Sequence, residues 1–382
     1  MKLRAIVPIL VVGFVIPTMC RCQMSPVPLM DYQSISVDQL AQVQRNQDQD
    51  IFWGYFGPEN RFTLNTFLEY LNLAGRNRPT TVYVYDKPTL FDSSLTIFEH
   101  DSLKSVSAVH PQWFIDSLHI IRQLNPSIHI VGIAPAYCDS IYRPIDKLFE
   151  VSHDTSLHIL LKEANRHVNG MVQKNNMIDK GQQDSVISVL TELTNFIHKK
   201  SDEERFYAIL VRHSFIRHLY AHRHILRPHF EKDIVQRYNN ATWEDFQAAH
   251  DGSETEAHST FFLPNYMCGK TTTYTTMESP SFFSSYNRID NHRTVNIATI
   301  LDNPDESILT ANRLSIDAKS GSCLSQYLCG QSENHNVHII LPLAIRTRCK
   351  VFLHRDLHIN TRLINKNYHF LMVVCHETNK YP

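Results

Sequence analysis

The sequence predicts an α+β protein in which long helices pack on one side of an antiparallel sheet, preceded by a small α/β region. Three observations predict it. Residues 63–135 alternate between helix-like and strand-like stretches, and residues 157–224 carry long amphipathic stripes. From about residue 258 the texture turns to short β-branched and aromatic runs separated by turns. The divisions that follow are a signal peptide over 1–22, a small α/β region over 23–150 and an α+β domain over 151–382. The boundary near 150 is soft, because neither a Pro- or Gly-rich linker nor an internal repeat marks it.

The N-terminus, "MKLRAIVPILVVGFVIPTMCRCQ", places Lys2 and Arg4 before an apolar run from Ala5 to Pro17, with Cys20 and Cys22 after it. That is the layout of a secretory signal with cleavage after Cys22, and the run is short for a membrane anchor. The expected location is secreted, or extracellular, with no transmembrane helix after the signal.

The stretch 63–75 reads as a helix closed by Gly75, and 81–86 as a strand. Pro111 suits the first turn of a helix over 110–126, where Phe114, Ile115, Leu118 and Ile121 share a face. Residues 127–135 form the next buried strand. Two amphipathic helices follow, one with a stripe from Leu157 to Val172 and one with a stripe from Val186 to Ile197. A third, 202–224, begins with acids and ends with bases, as the helix dipole favours. The runs at 259–264, 270–277, 294–301, 337–345, 350–354 and 368–374 are the strands of the expected sheet.

Cleavage after Cys22 leaves Cys138, Cys268, Cys323, Cys329, Cys349 and Cys375. An even count in an oxidising compartment favours disulfides, with Cys268, Cys323, Cys329, Cys349 and Cys375 as candidates and Cys349–Cys375 as one pairing. Asn240, in "NAT", is the sole N-x-S/T sequon and the expected glycosylation site. A formal charge of −1 and a pI near 7.1 give no field that would recruit nucleic acid or an anionic membrane.

Several motifs imitate catalytic ones. "HRDL" at 354–357 is spelled like a kinase catalytic loop, but no Gly-rich loop precedes it and only 22 residues follow Asn360. "CGKTTT" at 268–273 has Pro264 where a phosphate-binding loop needs glycine. "CHETNK" at 375–380 carries Lys380 in place of a second histidine ligand, and no G-x-S-x-G elbow occurs. His218 and His222, one helical turn apart and followed by His224 and His229, could share zinc. Arg212, Arg217, Arg223 and Arg227 lie among them, and fixed positive charges repel a dication. A basic solvated face is the favoured reading and an acidic partner a further one. No catalytic residue, cofactor or metal site is expected.

The segments 164–185, "NATWEDF" (240–246), "FFLPNYMCG" (261–269), "TTTYTTMESPSFF" (271–283) and "TVNIATIL" (294–301), in that order, resemble the extracellular Cache-type domain of orphan class C receptors of the metabotropic glycine receptor type. The resemblance implies a Cache/PAS-like architecture and an extracellular sensor. It does not carry the family's amino-acid-binding residues. Met177 and Ile178 replace a Ser-Arg pair, Met267 replaces an acid, and the position of a further acid falls near Ala298, with none until Asp302. The functional expectation is a secreted, non-enzymatic ligand-binding protein, receptor-ectodomain-like, for a small ligand or an extracellular protein partner. A secreted enzyme of unrecognised type and a structural or adhesive glycoprotein are the alternatives.

Overall fold

The computed structural model describes residues 34–47, 49–55, 60–75, 79–91, 109–138, 140–174, 179–197, 202–250, 258–270, 282–289, 293–301, 337–340, 350–354, 357–360 and 368–374. The signal segment and Cys323, Cys329, Cys349, Cys375, Met177, Ile178 and Asp302 lie outside them.

The strands are β1 (Ser34–Ile35), β2 (Gln49–Tyr55), β3 (Thr80–Val84), β4 (Ile128–Gly132), β5 (His258–Pro264), β6 (Arg293–Leu301), β7 (Val337–Ile340), β8 (Lys350–His354), β9 (Leu357–Asn360) and β10 (Phe370–Val374). Eight of them form one sheet in the order β1-β7-β10-β6-β2-β5-β3-β4. From β10 to β4 every neighbour is parallel; only β1 and β7 pair antiparallel.

This overturns the antiparallel expectation. The protein is α/β, with six parallel strands at its centre, and the sheet draws strands from both sides of residue 150. The physical reason lies in the connections. Parallel strands of one sheet need crossovers, and the segment between β5 and β6, which flank β2, supplies one through a helix at Phe282–Ile289, within the region whose texture suggests strands. β2, β3 and β5 are buried along their whole length, as strands covered on both faces are.

The helices are α1 (Val37–Gln47), α2 (Arg61–Ala74), α3 (Gln112–Leu124), α4 (Tyr142–Ser152), α5 (Thr155–Lys174), α6 (Lys180–Ile197), α7 (Asp202–Ala221), α8 (Pro228–His250), α9 (Asn265–Cys268) and α10 (Phe282–Ile289). Local chemistry sets several ends. Asn60 accepts the Thr63 amide at the start of α2, and Asp154 accepts the Leu157 amide at the start of α5, caps worth about 1 kcal/mol each. His153, at φ 53°, closes α4 in a left-handed turn.

Alternation along the strands sorts the core into two faces. Ile51, Trp53, Val82, Val84 and Phe262 pack with α1, α2 and α3. Phe52, Tyr83, Phe261, Leu263 and Ala298 pack with Phe246 of α8 and Phe282, Phe283 and Tyr286 of α10. The stripes predicted on 157–172 and 186–197 face inward except at Leu160, which is exposed, and enter a separate core shared by α4, α5, α6, α7 and the start of α8. This helical layer is the connection between β4 and β5.

The kinase-like "HRDL" straddles the β8–β9 hairpin, where His354 pairs with Leu357. No helix among the described residues is long and apolar enough to cross a membrane. Asn240 lies half-buried within α8 rather than on a loop. Cys268 is a buried free thiol whose pKa burial pushes up, and Cys138 is also buried and free.

Candidate functional site

In an open parallel sheet, ligands bind beyond the carboxyl ends of the strands, where neighbouring strands send their connections to opposite faces. Here the neighbours β2 and β5 do so. β2 leads through α2 on one face, while β5 leads through α10 on the other. Their ends, Gly54–Tyr55 and Leu263–Pro264, lie side by side in register.

Two polar constructions stand at this edge. The first follows β3. The Asp86 amide donates to the Val84 carbonyl and its own carbonyl accepts from the Ala134 amide, so Asp86 is fixed between β3 and β4. Gly132 permits this approach, since a Cβ there would stand 2.6 Å from the Asp86 carbonyl oxygen and 2.5 Å from that of Lys87. Asp86 Oδ1 accepts the amides of Lys87 (2.8 Å) and Val109 (3.0 Å). Oδ2 accepts the His110 amide (2.9 Å) and lies 3.1 Å from His110 Nδ1. Both side chains are fully buried. Burial alone would raise the Asp86 carboxyl. The bonds from the His110 ring and from the Val109 and His110 amides outweigh it and hold the carboxyl below its ordinary value.

A carboxylate has no proton to give, so Nδ1 is the donor, and in the neutral ring the other nitrogen, Nε2, is the acceptor. Nε2 is buried and has no hydrogen-bond partner. Around the ring stand Tyr55 at 5.0 Å, edge-on, Phe114 at 5.2 Å and Phe262 at 5.5 Å between centroids. The imidazole is therefore oriented by a carboxylate and walled by aromatics, with one lone pair uncommitted.

The second construction ties β5, β2 and β6 together. Asn265, directly after β5, reaches across β2 to β6: its amide donates to the Thr299 carbonyl (2.7 Å) and its oxygen accepts the Thr299 amide (2.9 Å). The Thr299 hydroxyl donates to the Gly54 carbonyl, and the Tyr368 hydroxyl donates to the Asn265 carbonyl at 2.8 Å. A side chain at Gly54 would collide with Asn265 and with the Ile297 carbonyl, so glycine is required there. Every polar atom named in this network is engaged, which makes it a structural tie between the strand ends rather than a chemical group.

The residues singled out from sequence sit elsewhere. Met267 and Ala298 are core side chains on the α10 face, not pocket residues. His218 and His222 lie with ring centroids 5.0 Å apart on α7, and His222 Nδ1 is 3.0 Å from the His218 carbonyl. No group of three or more His, Cys, Asp or Glu side chains that could hold a metal occurs among the described residues. Sequence reasoning passed over Asp86 and His110. A usable signal existed, since Asp86 is the first acid after a buried strand of a β–α–β unit, where such folds place ligand-binding groups.

No family model and no curated protein matches the chain. Solved structures do match along nearly the whole length. One is a Bacillus cereus protein, with TM-score 0.52 and 12% identity over 89% of this chain and 92% of that one. Another is a histidine mutant of the erythromycin esterase EreC in its open conformation, with TM-score 0.55 and 11% identity over 90% and 97%. A third is a succinoglycan biosynthesis protein, with TM-score 0.53 and 8% identity over 91% and 95%. At such identities the likeness is one of fold, and the fold is α/β.

Proposed function

We propose that this chain is an extracellular ligand-binding protein that holds a small polar molecule at the carboxyl ends of β2, β3 and β5, against the Asp86–His110 pair. One observation carries the reading: His110 Nε2 is a buried, oriented acceptor with no partner at the sheet's switch point. A buried polar atom left unpaired costs about 1–3 kcal/mol, a cost that a ligand N–H or O–H would offset. The extracellular part of the reading rests on the N-terminal sequence. Export from a host cell with Gln23 as the new first residue is its test.

A hydrolase is the second reading, favoured by the same pair. A histidine oriented through Nδ1 by a buried carboxylate is the base-and-orienter half of hydrolytic sites, and water could serve as nucleophile. One of the structures with a similar fold is described as an esterase.

Both readings meet one experiment. Melting curves of the wild type and of His110→Gln are recorded against a panel of small hydroxylated and ester-bearing compounds, with ester hydrolysis followed in parallel. Compounds that raise the wild-type melting temperature should fail to raise that of the variant. Binding without turnover selects the binding protein, and turnover lost in His110→Gln selects the hydrolase. A panel that shifts neither protein, or both equally, removes the site.

A further inference from the structure

A second cluster lies away from the crevice chemistry, on the helical layer. Tyr137 follows β4, and the Arg217 guanidinium of α7 lies over its ring at 3.3 Å from the centroid. One turn further along α7, Tyr220 stacks face to face on Tyr238 of α8, with centroids 4.0 Å apart and planes 7° apart. Arg223 covers Tyr220 at 4.6 Å and donates to the Tyr220 carbonyl at 3.2 Å. Arg217 and Arg223 are exposed, and Tyr238 is 37% exposed. The five groups form one neighbourhood, because the charges of both arginines and the rings of Tyr137 and Tyr220 all act on the Tyr238 phenol. Burial raises its pKa, and the two arginines oppose that.

Neither arginine is paired with a carboxylate among the described residues. A guanidinium lying on an aromatic face is held by cation–π attraction and can keep N–H groups in water to grip an oxyanion; Arg223 commits Nη1 to the Tyr220 carbonyl and has its other N–H groups for that role. Tyr220 is covered by Tyr238 and Arg223, so the exposed part of the pair is Tyr238, whose ring offers apolar surface with a hydroxyl at its rim. Sugar rings present the complement: a C–H face for the tyrosine and hydroxyls for its rim. Acidic sugars add carboxylate or sulfate groups at intervals. A peptide would need free backbone partners or a groove for its side chains, and around Arg217, Tyr220 and Tyr238 the surface is made of the sides of α7 and α8, whose backbone groups are bonded within the helices.

We propose that the Tyr137–Arg217 and Tyr238–Tyr220–Arg223 stacks form a binding surface for an acidic oligosaccharide, one bearing carboxylate or sulfate groups. The surface is independent of the crevice and of the ligand proposed for it.

Calorimetric titration of the full chain with oligogalacturonate and with a sulfated heparin hexasaccharide tests this, using methyl-esterified oligogalacturonate and hexaglutamate as controls. At least one acidic sugar should bind, at least tenfold more tightly than either control, and more weakly as salt rises. Arg217→Gln with Arg223→Gln should weaken binding at least tenfold. Tyr238→Ala should weaken it severalfold with both charges retained, and His110→Gln should leave it unchanged. Melting curves show whether each variant is folded, and single arginine variants replace the double one if it is not. The proposal is overturned if neither acidic sugar binds, if hexaglutamate or the esterified sugar binds as well, or if folded variants bind like the wild type.

Discussion

His110 and His213 are each only 3% exposed, yet the two regions that bury them treat the imidazole in opposite ways. At the carboxyl edge of the sheet, His110 is given a carboxylate, and that carboxylate is itself held by three backbone amides. In the helical layer, His213 has Arg212 beside it. Burial first and the Arg212 charge second drive its pKa down to about 3, against a hydrogen bond with the Ala136 backbone that raises it. Arg212 is paired with Glu244, so that acid is engaged elsewhere. The difference teaches which buried histidine is built for chemistry. One is oriented with a lone pair free, and the other is kept neutral as part of a core.

The largest expected effect comes from breaking the better-supported region. Asp86→Ala strands three backbone amides and the His110 ring, and each buried donor left unpaired costs about 1–3 kcal/mol. Urea unfolding measures it. A loss below 1 kcal/mol would mean that water replaces the carboxylate and that the pair is not built in.

Gly132→Ala should come next. It leaves both histidines in place but presses a methyl group against the Asp86 and Lys87 carbonyls, and overpacking of this kind costs about 1–3 kcal/mol. Loss of the response to His110→Gln in that background would show that the β3–β4 approach positions the pair.

The pH dependence separates the two histidine regions. A folded pKa below the unfolded value near 6.5 means that the stability linked to His213 is present above pH 6.5 and is lost as pH falls toward its folded value of about 3. Between pH 6.5 and 5 the loss should reach about 2 kcal/mol for a fully buried histidine. His369, lowered to about 4 by burial and then by Lys270, should add a smaller share because it is partly exposed. His213→Leu should flatten most of this slope. Asp86, whose carboxyl is depressed, contributes stability present above its unfolded pKa and lost as pH falls through the lower folded one, so its limb lies below about pH 4. Denaturation midpoints from pH 7.5 to 3 would expose both limbs, and a slope unchanged in His213→Leu would contradict the assignment.

The smallest effect belongs to the surface of the helical layer. Lys147→Ala breaks the exposed pair with Glu150 and should change stability by about 0.5 kcal/mol or less. A larger change would mean that this layer leans on its surface charges as the crevice leans on Asp86.

Much of the local structure was legible in the chain. The apolar stripes at 157–172 and 186–197, Pro111 before α3 and the strand-like runs at 81–86 and 127–135 all correspond to elements observed. Such features arise from neighbours in sequence: side-chain spacing, caps and proline geometry act over a few residues. Strand direction was not legible. A run such as "STFFLP" is apolar whether its neighbours run parallel or antiparallel, and the choice depends on partners such as β2, about 200 residues away.

The candidate site failed to show itself for the same reason. Asp86 looked like the polar end of a strand and His110 like the start of a helix, and 24 residues separate them. Composition and periodicity alone determined that this protein has buried strands, amphipathic helices and many histidines. The tertiary structure decided that β5 and β6 flank β2, that Asn265 closes over Gly54, and that His110 meets a buried carboxylate while His213 meets an arginine. A histidine's chemistry is set by the charges and solvent around its ring, and those arrive only when distant segments pack together.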